Sequence, residues 1–94
     1  MNGKQRAKLR SLANGLQPIF QIGKDGISDN LIKQIADALE ARELIKVNVL
    51  ETSGGSARDF CHEIANIIGA EPIQVIGNKF VLYKKSSKNP KIEV

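Results

Sequence analysis

ELIKVNVL, residues 43–50, alternates between apolar and polar side chains with a period of two. The apolar positions are Ile45, Val47 and Val49. Lys46 and Asn48 lie between them and would point the other way, because successive side chains of an extended chain face opposite sides. This alternation predicts a β-strand with one face buried and the other in contact with solvent.

The segments before this strand predict two amphipathic helices with a short strand between them. The first helix, at about residues 3–15, has apolar side chains at helical spacing and ends before Pro18. The apolar run PIFQI, residues 18–22, predicts the short strand. Ser28 is a favourable N-cap for the second helix, and Asp29 lies in its first turn, where negative charge is favoured.

The segments after the strand predict a third helix and a β-hairpin. TSGGS, residues 52–56, is interpreted as a flexible connection, and its last serine begins the capping-box pattern of the helix. The helix carries an apolar stripe and ends at Gly69. Two strands, PIQVI (72–76) and KFVLY (79–83), are joined by Gly77-Asn78, a pair that favours a type II′ turn.

The resulting order, α-β-α-β-α-β-β, predicts the α/β (α+β) class with a four-stranded mixed sheet. Strand–helix–strand units form parallel crossovers, and the hairpin adds an antiparallel pair. A chain of 94 residues is long enough for a single domain only. We assign the domain to residues 1–85 and expect residues 86–94, which are polar and lysine-rich, to form a loosely ordered, flexible basic tail.

Positive charge is concentrated at the two ends of the chain, whose net charge is +4. Residues 1–26 and residues 79–94 each carry five basic residues and one acidic residue, whereas residues 27–78 carry four basic and eight acidic ones. Such sorting is expected of a protein that presents one face to a polyanion. Two solvated, lysine-rich ends are the alternative explanation.

The sequence has no obvious targeting, membrane or disulfide pattern. The N-terminus, MNGKQRAKLR, lacks the apolar segment of a signal peptide, and no apolar run approaches membrane-spanning length. The single cysteine cannot form an internal disulfide, which fits a reducing compartment. We therefore expect a cytoplasmic monomer that does not associate with membranes.

The candidates for catalysis are weak. Cys61 falls on the apolar stripe of the third helix, and the only histidine, His62, lies about 100° round the helix from it. A nucleophile needs its base within hydrogen-bond reach, so we interpret Cys61 as a core residue and His62 as a surface residue. The carboxylates of the second helix, at Asp37, Glu40 and Glu43, are interpreted as its solvated face. We expect no enzymatic activity, no metal site, no cofactor and no small-molecule substrate.

A GxxG loop precedes the second predicted helix and consists of Gly23, Lys24, Asp25 and Gly26. Glycines without a Cβ would let a sugar–phosphate backbone come close, and the N–H groups at a helix N-terminus attract phosphate. KH domains clamp nucleic-acid backbone with a GxxG loop. A purely structural turn remains the alternative, and Asp25 partly offsets the charge of Lys24.

The first predicted helix carries cations without a compensating carboxylate. These are Lys4, Arg6, Lys8 and Arg10. They form like-charge pairs four residues apart near the positive end of the helix dipole, at a cost of roughly 0.2–0.5 kcal/mol for each pair. Phosphate groups would supply the missing negative charge, although a solvated helix is the alternative. The four aromatic residues are mostly needed for the core, so we expect contacts with RNA backbone rather than base stacking.

Three blocks of the sequence resemble the CRM (chloroplast RNA splicing and ribosome maturation) domain, specifically its stand-alone bacterial YhbY-type members. The blocks are KQRAKLRSLANGLQPIFQIGKDGIS, ELIKVNVL and GAEPIQVIGNKFVLYK, and they span about residues 3–85 in the family order. The resemblance implies a fold similar to the C-terminal domain of translation initiation factor 3. It also implies RNA binding, with bacterial members associated with precursors of the large ribosomal subunit, and it maps the family's GxxG loop onto residues 23–26.

The residues and the resemblance together predict a non-enzymatic protein that binds ribosomal RNA in precursors of the large ribosomal subunit. The basic helix and the GxxG loop would form one phosphate-binding surface, which Lys84 and Lys85 extend. The alternative is a ribosome-associated protein-interaction factor with no direct RNA recognition. A membrane-surface role has little support, because the basic residues flank a core-facing stripe rather than an exposed apolar face.

Overall fold

The chain forms three α-helices, one 3₁₀ turn and a four-stranded sheet in a computed structural model that describes residues 1–94. The elements are α1 (Gly3–Ala13), β1 (Phe20–Ile22), α2 (Asp29–Arg42), β2 (Leu44–Val49), the 3₁₀ turn (Glu51–Ser53), α3 (Ala57–Ile68), β3 (Glu71–Ile76) and β4 (Lys79–Tyr83). The predicted element order and fold class are confirmed. None of the helices combines the length and apolar character needed to cross a membrane.

The strands lie in the order β1-β2-β4-β3. β1 runs parallel to β2, with Ile22 opposite Val49. β4 runs antiparallel to both β2 and β3, so β2 and β3 point in the same direction although β4 separates them. Both strand–helix–strand units therefore have the predicted parallel arrangement. The hairpin places its second strand in the middle of the sheet.

Local hydrogen bonds begin the helices at the predicted serines. Ser28 Oγ accepts from the N–H of Leu31 at 3.1 Å, and Ser56 Oγ accepts from the N–H of Asp59 at 3.1 Å. The turn of the hairpin is also as predicted, because φ is +58° at Gly77 but is not positive at the asparagine after it. A positive φ at the first central residue alone is the type II′ geometry.

Helices cover the sheet on both faces, but to different extents. α2 and α3 pack on one face, where their apolar side chains join Ile45, Val47 and Val49 in the larger core. α1 packs on the other face over a smaller core, whose buried members are Leu9, Ala13, Leu44, Ile73, Val81 and Tyr83. β2 is therefore buried on both faces where it begins. The prediction that one face of this strand contacts solvent is correct only for its second half, where Lys46 and Asn48 are partly exposed.

Two glutamates attach residues 86–94 to the domain, although this segment has no helix or strand. Glu43 is fully buried, and its carboxylate accepts from the backbone N–H groups of Ser86 at 2.9 Å, Lys91 at 2.5 Å and Ile92 at 2.8 Å. Glu43 is the C-cap residue of α2, and its φ is +67°. The interpretation of Glu43 as part of a solvated face is therefore wrong. The polar composition of this segment predicts loose order, because composition alone does not reveal the two glutamates that accept its N–H groups.

The hydrogen bonds at these glutamates lower the pKa values of both. The Ser86 hydroxyl, with the backbone and hydroxyl of Ser87, lowers the pKa of Glu40 to about 2. Burial alone would raise the pKa of Glu43, but its three backbone donors and the nearby charge of Lys85 outweigh burial, and the pKa is lowered. Both carboxylates thus stay ionised in the folded protein at acidities where an ordinary glutamate, with a pKa near 4.5, is protonated.

We expect the free energy of unfolding to decrease as the pH falls from about 5 toward 2. The unfolded chain binds more protons than the folded one in this range, because the pKa values of Glu40 and Glu43 are lower in the folded state. Their contribution is complete above the ordinary glutamate pKa and is lost as the pH falls through the folded-state values. Urea unfolding at several pH values would measure the slope. Glu40→Gln should reduce that slope, and an unchanged slope would contradict the assignment.

Candidate nucleic-acid interface

The GKDG loop joins β1 to α2 and has the predicted geometry of a tight turn before a helix. The N–H of Gly26 donates to the carbonyl of Gly23 at 2.9 Å, and φ at Gly26 is +62°, which favours glycine. A Cβ at Gly23 would make only ordinary contacts with Leu50 and Thr52, so the fold does not require glycine there. Lys24 is exposed in the loop that leads into α2, whose first turn has one N–H group, that of Leu31, capped by Ser28.

Two of the four cations on α1 bind groups of the protein itself. Arg6 forms an ion pair with Glu71, with Nη2 and Oε1 3.0 Å apart, and also donates to the carbonyl of Pro72. Lys8 donates to the carbonyl of Glu93. These bonds hold α1 against β3 and against the C-terminal segment. Lys4 and Arg10 form no ion pair.

The two lysines after β4 lie at the same end of the sheet as Arg6. Lys84 Nζ donates to the carbonyl of Ile68 at 3.0 Å and so binds the C-terminus of α3. Lys85 is exposed and close enough to Glu43 to contribute to its lowered pKa. Both lysines therefore interact with groups of the domain itself, just before the C-terminal segment that Glu40 and Glu43 bind.

The sheet register shows that α1 begins far from the GKDG loop. Arg6 is paired with Glu71, which lies opposite Tyr83, and Tyr83 lies opposite Leu44, the first residue of β2. The loop instead follows Ile22, which lies opposite the last residue of β2. The six residues of β2 separate the two by about 17 Å at ~3.3 Å for each step. The structure does not bring Lys4, Arg6 and Lys8 together with Gly23–Gly26 in one compact patch.

An uncovered part of the sheet connects these two regions on the α1 side. We call it the open sheet face, and it consists of Gln21, Lys46, Asn48, Gln74, Ile76 and Lys79. Along each strand these side chains alternate with those that point into the larger core, so they face the opposite side of the sheet. α1 ends before it covers them, and its C-cap residue Asn14 lines the concavity beside them. The face contains two lysines and no carboxylate. Neither lysine is among the candidates that the sequence indicates, although the alternation of residues 43–50 places Lys46 on the polar side of its strand.

The structure supports the interpretation of the cysteine–histidine pair. Cys61 is fully buried in the larger core, and burial raises the pKa of its thiol to about 11, so it stays protonated. His62 is exposed to solvent. No group of three histidine, cysteine, aspartate or glutamate side chains lies close enough together to hold a metal ion.

Known proteins resemble this chain along its whole length. A Bacillus subtilis (strain 168) protein named "Probable RNA-binding protein YqeI" is 50% identical over 94 residues, which cover 100% of this chain and 98% of the relative. A Haemophilus influenzae protein named "RNA-binding protein" is 31% identical over 88 residues, or 94% of this chain and 89% of the relative. Both share nearly their full length with this domain.

The fold also matches a solved structure, and the sequence matches a family model. The solution structure of a Staphylococcus aureus protein, described as "a putative RNA binding protein", superposes with a TM-score of 0.78 at 44% identity and covers 100% of this chain and 98% of its own. The model of the CRS1 / YhbY (CRM) domain matches residues 1–84. The chain therefore belongs to the CRS1 / YhbY (CRM) domain family.

Proposed function

We propose that this protein binds RNA along a continuous surface that runs from α1, across the open sheet face, to the GKDG loop. The observation that carries the proposal is the pair Lys46 and Lys79 on a face without carboxylates, between the last turn of α1, which contains Arg10, and the loop that contains Lys24. With Lys4, these are five cations that form no ion pair within the protein. The relatives named as RNA-binding proteins support the same class of ligand.

The length of this surface favours an extended polyanion over a small one. The start of α1 and the loop are about 17 Å apart along the sheet, so a single phosphate group cannot contact both. A polynucleotide carries phosphates at regular intervals and can follow the whole surface. Its backbone would meet the exposed N–H groups at the start of α2 and the lysines of the open sheet face.

We further propose that the RNA is ribosomal RNA in precursors of the large ribosomal subunit, and that the protein acts there as a non-enzymatic, cytoplasmic monomer. The resemblance to the bacterial YhbY-type members supports this narrower proposal. Crosslinking in cells, followed by sequencing of the attached RNA, would test it. Fragments of large-subunit RNA are expected, whereas fragments without ribosomal sequence would contradict it. Association with ribosomal particles that survives nuclease treatment would favour the protein-interaction alternative instead.

The salt dependence of RNA binding tests the number of phosphate contacts. If the five free cations each neutralise one phosphate, the logarithm of the association constant should fall with the logarithm of salt concentration at a slope of roughly −3.5 for single strands or −4.5 for a duplex. Fluorescence anisotropy with a labelled RNA hairpin at several salt concentrations would measure it. A slope near zero would exclude phosphate contacts as the basis of binding.

A further inference from the structure

Asn48 has an unusual environment in the middle of the open sheet face. Its side-chain Oδ1 is shielded from solvent and accepts no hydrogen bond, and it is the only buried side-chain nitrogen or oxygen atom in this situation. A shielded acceptor without a donor is unfavourable for a folded protein, and most such groups in proteins are paired. Asn48 as a whole is only partly buried and lines a concavity of the face, so a turn of its amide toward that concavity would let a donor of a ligand satisfy Oδ1.

The neighbours of Asn48 in the sheet are suited to a nucleobase. Gln21 lies opposite it on β1 and Lys79 opposite it on β4, with Ile76 beyond Lys79 on β3. Asparagine and glutamine amides pair with base edges, and a lysine ammonium binds base acceptors or phosphate. Ile76 is 61% exposed, which leaves an aliphatic surface for the flat side of a base. None of the four is acidic, so nothing in this row repels RNA.

The shape of the face favours an unpaired base over a duplex. Two shallow concavities meet at Lys79. One of about 310 Å³ lies beside Ile76, and one of about 630 Å³ reaches Gln21 and Asn48 and extends past the edge of β1 to α2. These volumes fall within the range of small-molecule sites. Bases in an A-form duplex are held inside the helix, whereas bases in loops and bulges can turn outward and offer their edges.

We propose that the open sheet face holds an unpaired adenine whose exocyclic amino group donates to Asn48 Oδ1 while a ring nitrogen accepts from Asn48 Nδ2. Adenine is the base whose donor and acceptor pair matches an asparagine amide in the most frequent geometry. The inference rests on the RNA binding proposed above and adds direct recognition of a base to contacts with the backbone. Lys79 binds an adjacent phosphate in this arrangement.

The test compares two RNA hairpins of equal length, one with an adenine-rich internal loop and one fully paired. The unaltered protein should bind the looped RNA about tenfold more tightly, and Asn48→Leu should reduce this preference to less than about twofold without changing the salt slope. Asn66→Leu, which alters an exposed amide on α3 across the sheet, should keep the full preference. Asn48→Leu should unfold at the same or a higher temperature, because it removes an unsatisfied acceptor.

Different results overturn different statements. Equal binding of the two hairpins by the unaltered protein, or a preference that persists in Asn48→Leu, would refute base recognition and leave RNA binding intact. Binding to neither hairpin would refute the proposed function as well. The side-chain amide resonances of Asn48 in the unaltered protein give an independent measurement. They should shift on addition of the looped RNA and not of the paired one, and resonances that stay in place with both would also refute the proposal.

Discussion

Glu43→Ala is expected to lower the free energy of unfolding by about 2–4 kcal/mol and to release the C-terminal segment from the domain. The buried carboxylate accepts from three backbone N–H groups between Ser86 and Ile92. Each of these donors would either stay buried without an acceptor, at about 1–3 kcal/mol, or move out to water with its segment. Ile92 would then leave the core beneath α1, where it packs against the buried members of that cluster.

Urea unfolding would measure the loss, and limited trypsin cleavage after Lys88 and Lys91 would report the release of the segment. Glu40→Ala is the matched control, because Glu40 is exposed and binds the same segment through Ser86 and Ser87. It should destabilise the domain less and leave Ile92 in place. If Glu43→Ala unfolded like the unaltered protein, with its C-terminal segment still protected from trypsin, the carboxylate could not be the anchor of this segment.

Most of the secondary structure could be predicted because its determinants are local. Ser28 and Ser56 begin helices through bonds to N–H groups three residues later, and the Gly-Asn turn needs a positive φ only at its glycine. The covering of Leu44 by α1 could not be predicted, since it depends on packing between distant segments. The insertion of β4 between β2 and β3 is also a tertiary choice, because the hairpin alone could pair on either side.

The candidate site was predicted only in part, for the same physical reason. The position of the GKDG loop before a helix follows from neighbouring residues, but the partners of α1 lie at the other end of the chain. The sequence near Arg6 contains no carboxylate, but the distant Glu71 forms an ion pair with it in the folded protein. The presence of this cation on α1 is therefore explained without a bound phosphate. Lys46 and Lys79 lie on the same surface only because β2 pairs with β4.

The double substitution Lys24→Glu with Lys79→Glu is expected to reduce RNA affinity by about 100-fold or more without changing the melting temperature. Each reversal removes one attraction and adds one repulsion, and a pair of charges about 4 Å apart in water contributes roughly 1 kcal/mol. Four such terms exceed the 2.7 kcal/mol or so that corresponds to a hundredfold change. Both side chains are exposed and form no ion pair, so the folded state should tolerate the change.

The matched control is Arg58→Glu with Lys88→Glu, which alters the net charge equally at exposed positions that form no ion pair and lie outside the proposed surface. If RNA contacts α1, the open sheet face and the loop, this control should lose only the small contribution of long-range attraction, which salt screens. An equal loss in both double variants would mean that net charge alone controls binding and that no such surface exists.

Arg6→Gln separates the two roles of the cations further, because Arg6 already binds Glu71 and Pro72. It should loosen α1 while most RNA affinity persists, since the phosphate contacts would belong to cations that the fold leaves unpaired.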